Sequence, residues 1–243
     1  MKTKREPRVL KSSKFDDFKV QASKQLGLYS NILKKTITQL KNCLSRSSRV
    51  FTFRFDLHLP DDFDGRSDSE VISRFFTRLS KYLKAGRVEN HPHRNHKYVS
   101  FQWVKEVERS KKCHYHCWIA VDGKKVRVPG SVESTPDEST GLIGLIMRLW
   151  AEESGGGSVY LCDKPRMLKR GDSAAFEDCV RHYSYLSKVR GKGYGGIRPG
   201  EKNHGGSRIK PKAGCASNLM GACLSVPNRQ KFIPSTPIQG VGF

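Results

Sequence analysis

The chain has 243 residues, enough for one domain of ordinary size or one domain with tails. Its 45 Lys and Arg against 23 Asp and Glu leave a net charge of +22, and 36% apolar residues with a mean hydropathy of −0.59 exclude an integral membrane protein. No run approaches the ~18 apolar residues of a spanning helix, and no apolar segment follows the basic start MKTKREPRVL, so neither membrane association nor a secretory signal is expected.

The charge is uneven. Residues 1–50 carry +10, residues 189–243 carry +8, and the centre between them only +4. A balanced core between two basic ends implies a polyanionic partner, nucleic acid first. The seven cysteines are an odd, scattered set with no CxxC, as in a reduced, cytoplasmic protein.

In chain order, residues 1–22 show no apolar period and read as a basic flexible arm. Residues 24–44 place Leu26, Tyr29, Leu33, Ile37, Leu40 and Leu44 at helical spacing. VFTFRFDLHLP then alternates: Phe51, Phe53, Phe55, Leu57 and Leu59 take one face and Thr52, Arg54, Asp56 and His58 the other. That is a half-buried strand, ended by Pro60 and the turn sequence DDFDG. Ser67 or Asp68 can cap a helix to about Lys84, and residues 86–96 make a His-rich loop.

YVSFQWVKEVE and CHYHCWIAVDG predict two strands of a hairpin joined by RSKK. Phe101, Trp103 and Val107 oppose Gln102, Val104, Glu106 and Glu108; Cys113, Tyr115, Cys117, Ile119 and Val121 oppose His114, His116 and Trp118. A helix over Leu142 to Trp150, a short strand GSVYLCD and a helix over Ala174 to Lys188 follow. Residues 191–243, rich in Gly, Pro and Lys, read as a disordered basic tail, leaving 23–190 as the folded domain. The core order, β-α-β-β-α-β-α, describes an α+β fold. Its antiparallel, open-faced sheet is covered on one face by helices, and the other face is polar.

That polar face carries the chemistry. His114 and His116 at i and i+2 on a strand point the same way and make half of a metal site. Glu106 and Glu108 on the partner strand both have the parity to supply a carboxylate, and two His with a carboxylate would hold a divalent ion. Cys113 and Cys117 point to the opposite face, so CHYHC is not a tetrahedral zinc site. On the last helix, Phe176, Cys179, Val180, Tyr183 and Leu186 form the apolar stripe. Tyr185 and Lys188, at i and i+3, are neighbours on the other side. Lysine beside a phenol favours the phenolate.

Three segments in this order, FRFDLHLP at 53–60, WVKEVERSKKCHYHCWIAVDG at 103–123 and YSYLSK at 183–188, resemble the HUH endonucleases, the rolling-circle initiators and relaxases. More narrowly, they are similar to the replication proteins of inoviruses, the gene-two proteins of filamentous phages and prophages, which share a YagK/YfjJ-type C-terminal domain. The resemblance spans about 50–188. It implies a site-specific DNA endonuclease and ligase acting through a phosphotyrosine and initiating rolling-circle replication. His114, His116 and Glu106 would be metal ligands, with Glu108 an alternative to Glu106. Tyr185 would be the nucleophile and Lys188 would stabilise developing charge. Magnesium or manganese (Mg2+ or Mn2+) would be the ion. The partners would be single-stranded or supercoiled DNA at an origin and a host helicase and polymerase. Two rival readings are an HUH relaxase or transposase, and a non-catalytic single-stranded nucleic-acid-binding protein with an RRM-like sheet on which aromatics such as Trp118 stack bases.

Overall fold

A computed structural model of the chain describes residues 8–22, 25, 27–63, 68–85, 95–107, 113–192 and 202–214. Its centre is a five-stranded antiparallel sheet in the order β8-β5-β7-β6-β9. The long strands are β5 (Arg49–His58), β6 (Ser100–Val107), β7 (Cys113–Asp122) and β8 (Ser158–Lys169), and β9 (His204–Gly206) is a short edge. Helices α1 (Ser30–Arg46), α2 (Asp68–Ala85), α3 (Gly141–Ser154) and α4 (Ser173–Tyr183) complete the domain with small strands β1 (Val9–Leu10), β2 (Lys14–Phe15), β3 (Phe18–Lys19) and β4 (Leu28–Tyr29). None of the described helices is long and apolar enough to cross a membrane.

The α+β class and the strand parities follow the alternation in the sequence. Phe51, Phe53, Phe55, Leu57, Trp103, Tyr115, Cys117, Ile119 and Val121 pack under α2 and α3, where Phe75, Phe76, Ile146 and Trp150 complete the core. The other face is not polar along its whole length. Val50, Val104, Trp118, Ala120 and Leu168 form a second core with Leu33, Leu40, Phe176, Val180 and Tyr183 of α1 and α4. The opposite face is thus divided: apolar and covered at one end, polar at the end where β5 finishes and β7 begins.

Several boundaries move for identifiable reasons. α1 starts at Ser30 because Leu28 and Tyr29 are taken by pairing with Leu10 and Val9. β8 runs well beyond the expected short strand. It passes Pro165 through an irregularity opposite Phe53, the kind of place where an edge strand accepts a residue with no amide proton. The arm expected over 1–22 is, from Arg8 onward, docked: Phe18 and Val20 are buried in the second core, and Phe18 packs on Phe176 with ring centroids 5.5 Å apart.

The tail expected to be disordered from 191 also folds in part. Its residues 202–214 are described, and β9 pairs with β6. A Cβ on Gly205 would come within 2.5 Å of the Trp103 indole, so only glycine lets this strand lie there. Gln39 and Asn42 of α1 donate to the Ile209 carbonyl, and Gln39 accepts from the Ile209 amide. Such contacts are invisible to a reading of composition, because each pairs residues far apart in the chain. The expected RSKK turn and most of the His-rich loop lie outside the described residues.

Candidate metal centre

The polar end of the second face is built by register. β5 and β7 pair Asp56 with His116 and His58 with His114, and β6 and β7 pair Glu106 with His114. Directly paired residues in a sheet send their side chains to the same side. Five polar side chains therefore converge above three adjacent strands.

His116 is the hub. Its Nδ1 donates to Asp56 Oδ1 at 2.8 Å, and its Nε2 lies 2.9 Å from Glu106 Oε2 and 3.3 Å from His114 Nε2. Burial would lower the His116 pKa, but its hydrogen bonds to Asp56 and Glu106 outweigh this and raise it. Glu106 is affected in reverse. Burial would raise its carboxyl, yet the His116 bond and the Lys192 ammonium hold it at about 2. The His114 pKa is lowered by burial and by the neighbouring His116.

Glu106, His114 and His116 each offer one ligand atom, all within 4.8 Å of one another. An ion with ligands at ~2.1 Å and right-angle geometry separates adjacent donors by about 3 Å. Two edges of the triangle, at 2.9 and 3.3 Å, match that separation. Asp56, bonded to the far nitrogen of His116, fixes that imidazole in the orientation a metal ligand would need. The donor set therefore fits a divalent ion, and this His-His-Glu group could hold one. Glu108, the alternative carboxylate, lies outside the described residues. Cys117 is buried among the α2/α3 core and Cys113 packs against it, as strand parity requires.

The tyrosines separate as their spacing predicts, though by a different local structure. Asp172 caps α4 by accepting from the Ala175 amide, and the helix ends at Tyr183 rather than continuing to Lys188. Ser184 ends it: its hydroxyl donates to the Arg181 carbonyl and accepts from the Gln21 amide. Ser184–Ser187 form a 3₁₀ turn, in which residues i and i+3 eclipse, and this brings Lys188 over Tyr185. Lys188 Nζ stands 3.9 Å and Arg54 Cζ 4.6 Å from the Tyr185 ring centroid. The Tyr185 ring meets His116 edge-on at 5.1 Å. Burial lowers the Lys188 pKa, opposed by Glu106 and reinforced by Arg54 and Arg190.

Tyr183 is fully buried, stacks on Trp118 at 5.8 Å and lies 2.8 Å from Thr52 Oγ1. Thr52 gives its own proton to the Ile119 carbonyl, so Tyr183 is the donor in that pair. Its hydroxyl is part of the core.

Four residues at the site have no assigned place in the sequence reading. Arg54, Asp56 and His58 were legible as one strand face, but the register that aims Asp56 at His116 was not. Lys192 carries no local signal, since it falls in the segment expected to be a disordered tail. It is 2% exposed, and its Nζ donates to Glu106 Oε2 at 3.0 Å. Gly191, at φ +73°, makes this approach possible, because a Cβ there would sit 2.6 Å from the Glu106 side chain. The Gly191 carbonyl accepts from the Val107 amide and extends the edge of β6 over the site.

The profile of the YagK/YfjJ C-terminal domain matches residues 11–156. That segment holds Asp56, Glu106, His114 and His116, whereas Tyr185, Lys188 and Lys192 lie beyond it. The uncharacterized protein YfjJ of Escherichia coli (strain K12) is 26% identical over 207 residues, covering 75% of this chain and 95% of the E. coli protein. No solved structure matches the chain. With more than half its length accounted for, including every residue of the His-His-Glu group, the chain belongs to the YagK/YfjJ C-terminal domain family.

Proposed function

We propose that the protein is a metal-dependent enzyme that nicks and rejoins DNA through a tyrosine nucleophile, and that it initiates rolling-circle replication of a phage- or prophage-type genome. The observation that carries this reading is the placement of Tyr185. Its ring stands edge-on to His116 of the His-His-Glu group, with Arg54 and Lys188 against its faces. The order of motifs that resembles the HUH endonucleases and the +22 charge support it.

A divalent ion held by Glu106, His114 and His116, magnesium or manganese, would supply Lewis-acid polarisation of a non-bridging phosphate oxygen. Lys188 and Arg54 stand against the ring of Tyr185, whose hydroxyl gives its proton to solvent as it attacks. The phenolate oxygen bonds to phosphorus as the bond from phosphorus to the 3′ oxygen breaks. The DNA 5′ end stays on Tyr185 and the 3′ oxygen takes up a proton. Lys188 offsets the charge that develops on the phosphate. Attack by a 3′-hydroxyl on the phosphotyrosine reverses the exchange and needs no ATP, since the ester bond is conserved throughout.

Trp118, one aromatic that the non-catalytic reading offers for stacking, is fully buried beside Tyr183 and presents no surface to a base. The test is a covalent adduct. The full chain, incubated with Mn2+ and a pool of single-stranded oligonucleotides, should yield a protein–DNA adduct whose phosphotyrosine peptide maps to Tyr185. DNA binding with no adduct under any divalent ion would refute the enzyme reading.

A further inference from the structure

Tyr160 is the one Phe, Tyr or Trp among the described residues whose side chain is classed as exposed, at 66%. It lies on β8, directly paired with Asp56. Its neighbours Val159 and Leu161 turn to the α2/α3 core, so Tyr160 turns to the face that carries the His-His-Glu group. Its ring and hydroxyl make no ring contact or hydrogen bond among the described residues. Asp56 stands between it and His116, which places Tyr160 about 10 Å, two strand spacings, from the hub of the site. His58, also exposed, is its diagonal neighbour across the strand pair and stacks on His114 with ring centroids 5.2 Å apart and planes 8° from parallel.

An uncovered aromatic beside a site that handles phosphate suits a base that is not paired. Stacking requires only a free π-face on each partner, and phosphate-binding cations supply the rest of the affinity. Arg54 and Lys188 are the cations beside Tyr185, and the two chain ends supply the wider positive field. We propose that Tyr160 is the stacking platform for an unpaired DNA base next to the phosphate engaged at the His-His-Glu site. This rests on the DNA-nicking reading and adds a subsite to it: strand recognition on the β8 edge, opposite the edge closed by Gly191 and β9.

The experiment is binding of the full chain, in EDTA, to a single-stranded oligonucleotide carrying 2-aminopurine, with a duplex of the same sequence alongside. Tyr160→Ala should weaken single-strand binding about 5- to 150-fold and abolish quenching of the probe. Duplex binding should stay unchanged, since duplex bases already stack on one another. Tyr160→Phe and Tyr160→Trp should behave as wild type, because the ring face is retained. Wild-type affinity and quenching in Tyr160→Ala, or equal losses in Tyr160→Phe, would overturn the stacking role. If the wild type still forms the tyrosine adduct in that case, the nicking reading survives without it. A wild-type protein that neither binds single strands nor forms an adduct overturns both.

Discussion

Strands β5 and β7 serve two regions on one face. Toward Val50 and Ala120 the face lies under α1 and α4, and its polar group Thr52 is fully bonded to Ile119 and Tyr183. Toward His58 and His114 the same face is left by α4, which stops at Tyr183, and among the described residues it is roofed by the turn at 184–187 and the segment around Gly191 and Lys192. The first region is dominated by apolar packing, in which Trp118 and Tyr183 stack. The second brings together two carboxylates, three imidazoles and a buried ammonium, bonded through His116 and Glu106, among them the His-His-Glu group that could hold a metal. One pair of strands can thus hold the fold at one end and present chemistry at the other. The two tyrosines on either side of Ser184 mark the boundary between them.

Substitutions that separate the regions test this division. The largest effect is expected at Tyr185. Tyr185→Phe should eliminate the covalent DNA adduct while leaving the urea unfolding midpoint where it was, and Tyr183→Phe should keep the adduct. Adduct in Tyr185→Phe would place the nucleophile elsewhere.

The paired change His114→Ala with His116→Ala should abolish Mn2+ binding in calorimetric titration and metal-dependent nicking, as should excess EDTA with the wild type. Low-salt DNA binding should persist, because phosphate contacts by the basic ends dominate it. Unaltered Mn2+ affinity would show that the three donors are not the site.

Trp118→Ala belongs to the covered region and should cost about 3–5 kcal/mol of unfolding free energy. It should leave Mn2+ affinity in the folded protein within a few-fold of wild type. A parallel loss of metal affinity would mean that the two regions are one coupled unit.

Asp56→Asn removes the charge behind His116 but keeps its size. Metal affinity should fall about 10- to 100-fold, with the stability change confined to the polar end. No change would remove Asp56 from the site. The smallest effect is that of Tyr183→Phe on stability, about 1 kcal/mol for the bond to Thr52.

How much of this was legible follows from which interactions are local. The alternation of VFTFRFDLHLP and CHYHCWIAVDG is written residue by residue, and it placed His114 and His116 together and sent Cys113 and Cys117 away from them. The apolar stripe of α4 likewise separated Tyr183 from Tyr185. Asp56 was visible as a polar-face residue without a role, because its partner lies sixty residues on and only the β5–β7 register brings the two together. Lys192 and β9 were read as tail, because Gly, Pro and Lys composition reports local order and not a docking edge.

By itself, then, the sequence determined the α+β class, the faces of the strands, the two histidines as a pair and the basic ends, since all of these depend on spacing within one segment or on charge counts. Tertiary structure alone decided the rest. α1 and α4 cover half of the face that alternation marked as polar, and the register sets Asp56 behind His116. Ser184 breaks the last helix so that Tyr185 turns toward the histidines, and a glycine at 191 lets Lys192 reach Glu106. Each of these is a contact between distant segments, and its energy exists only once both have been brought into place.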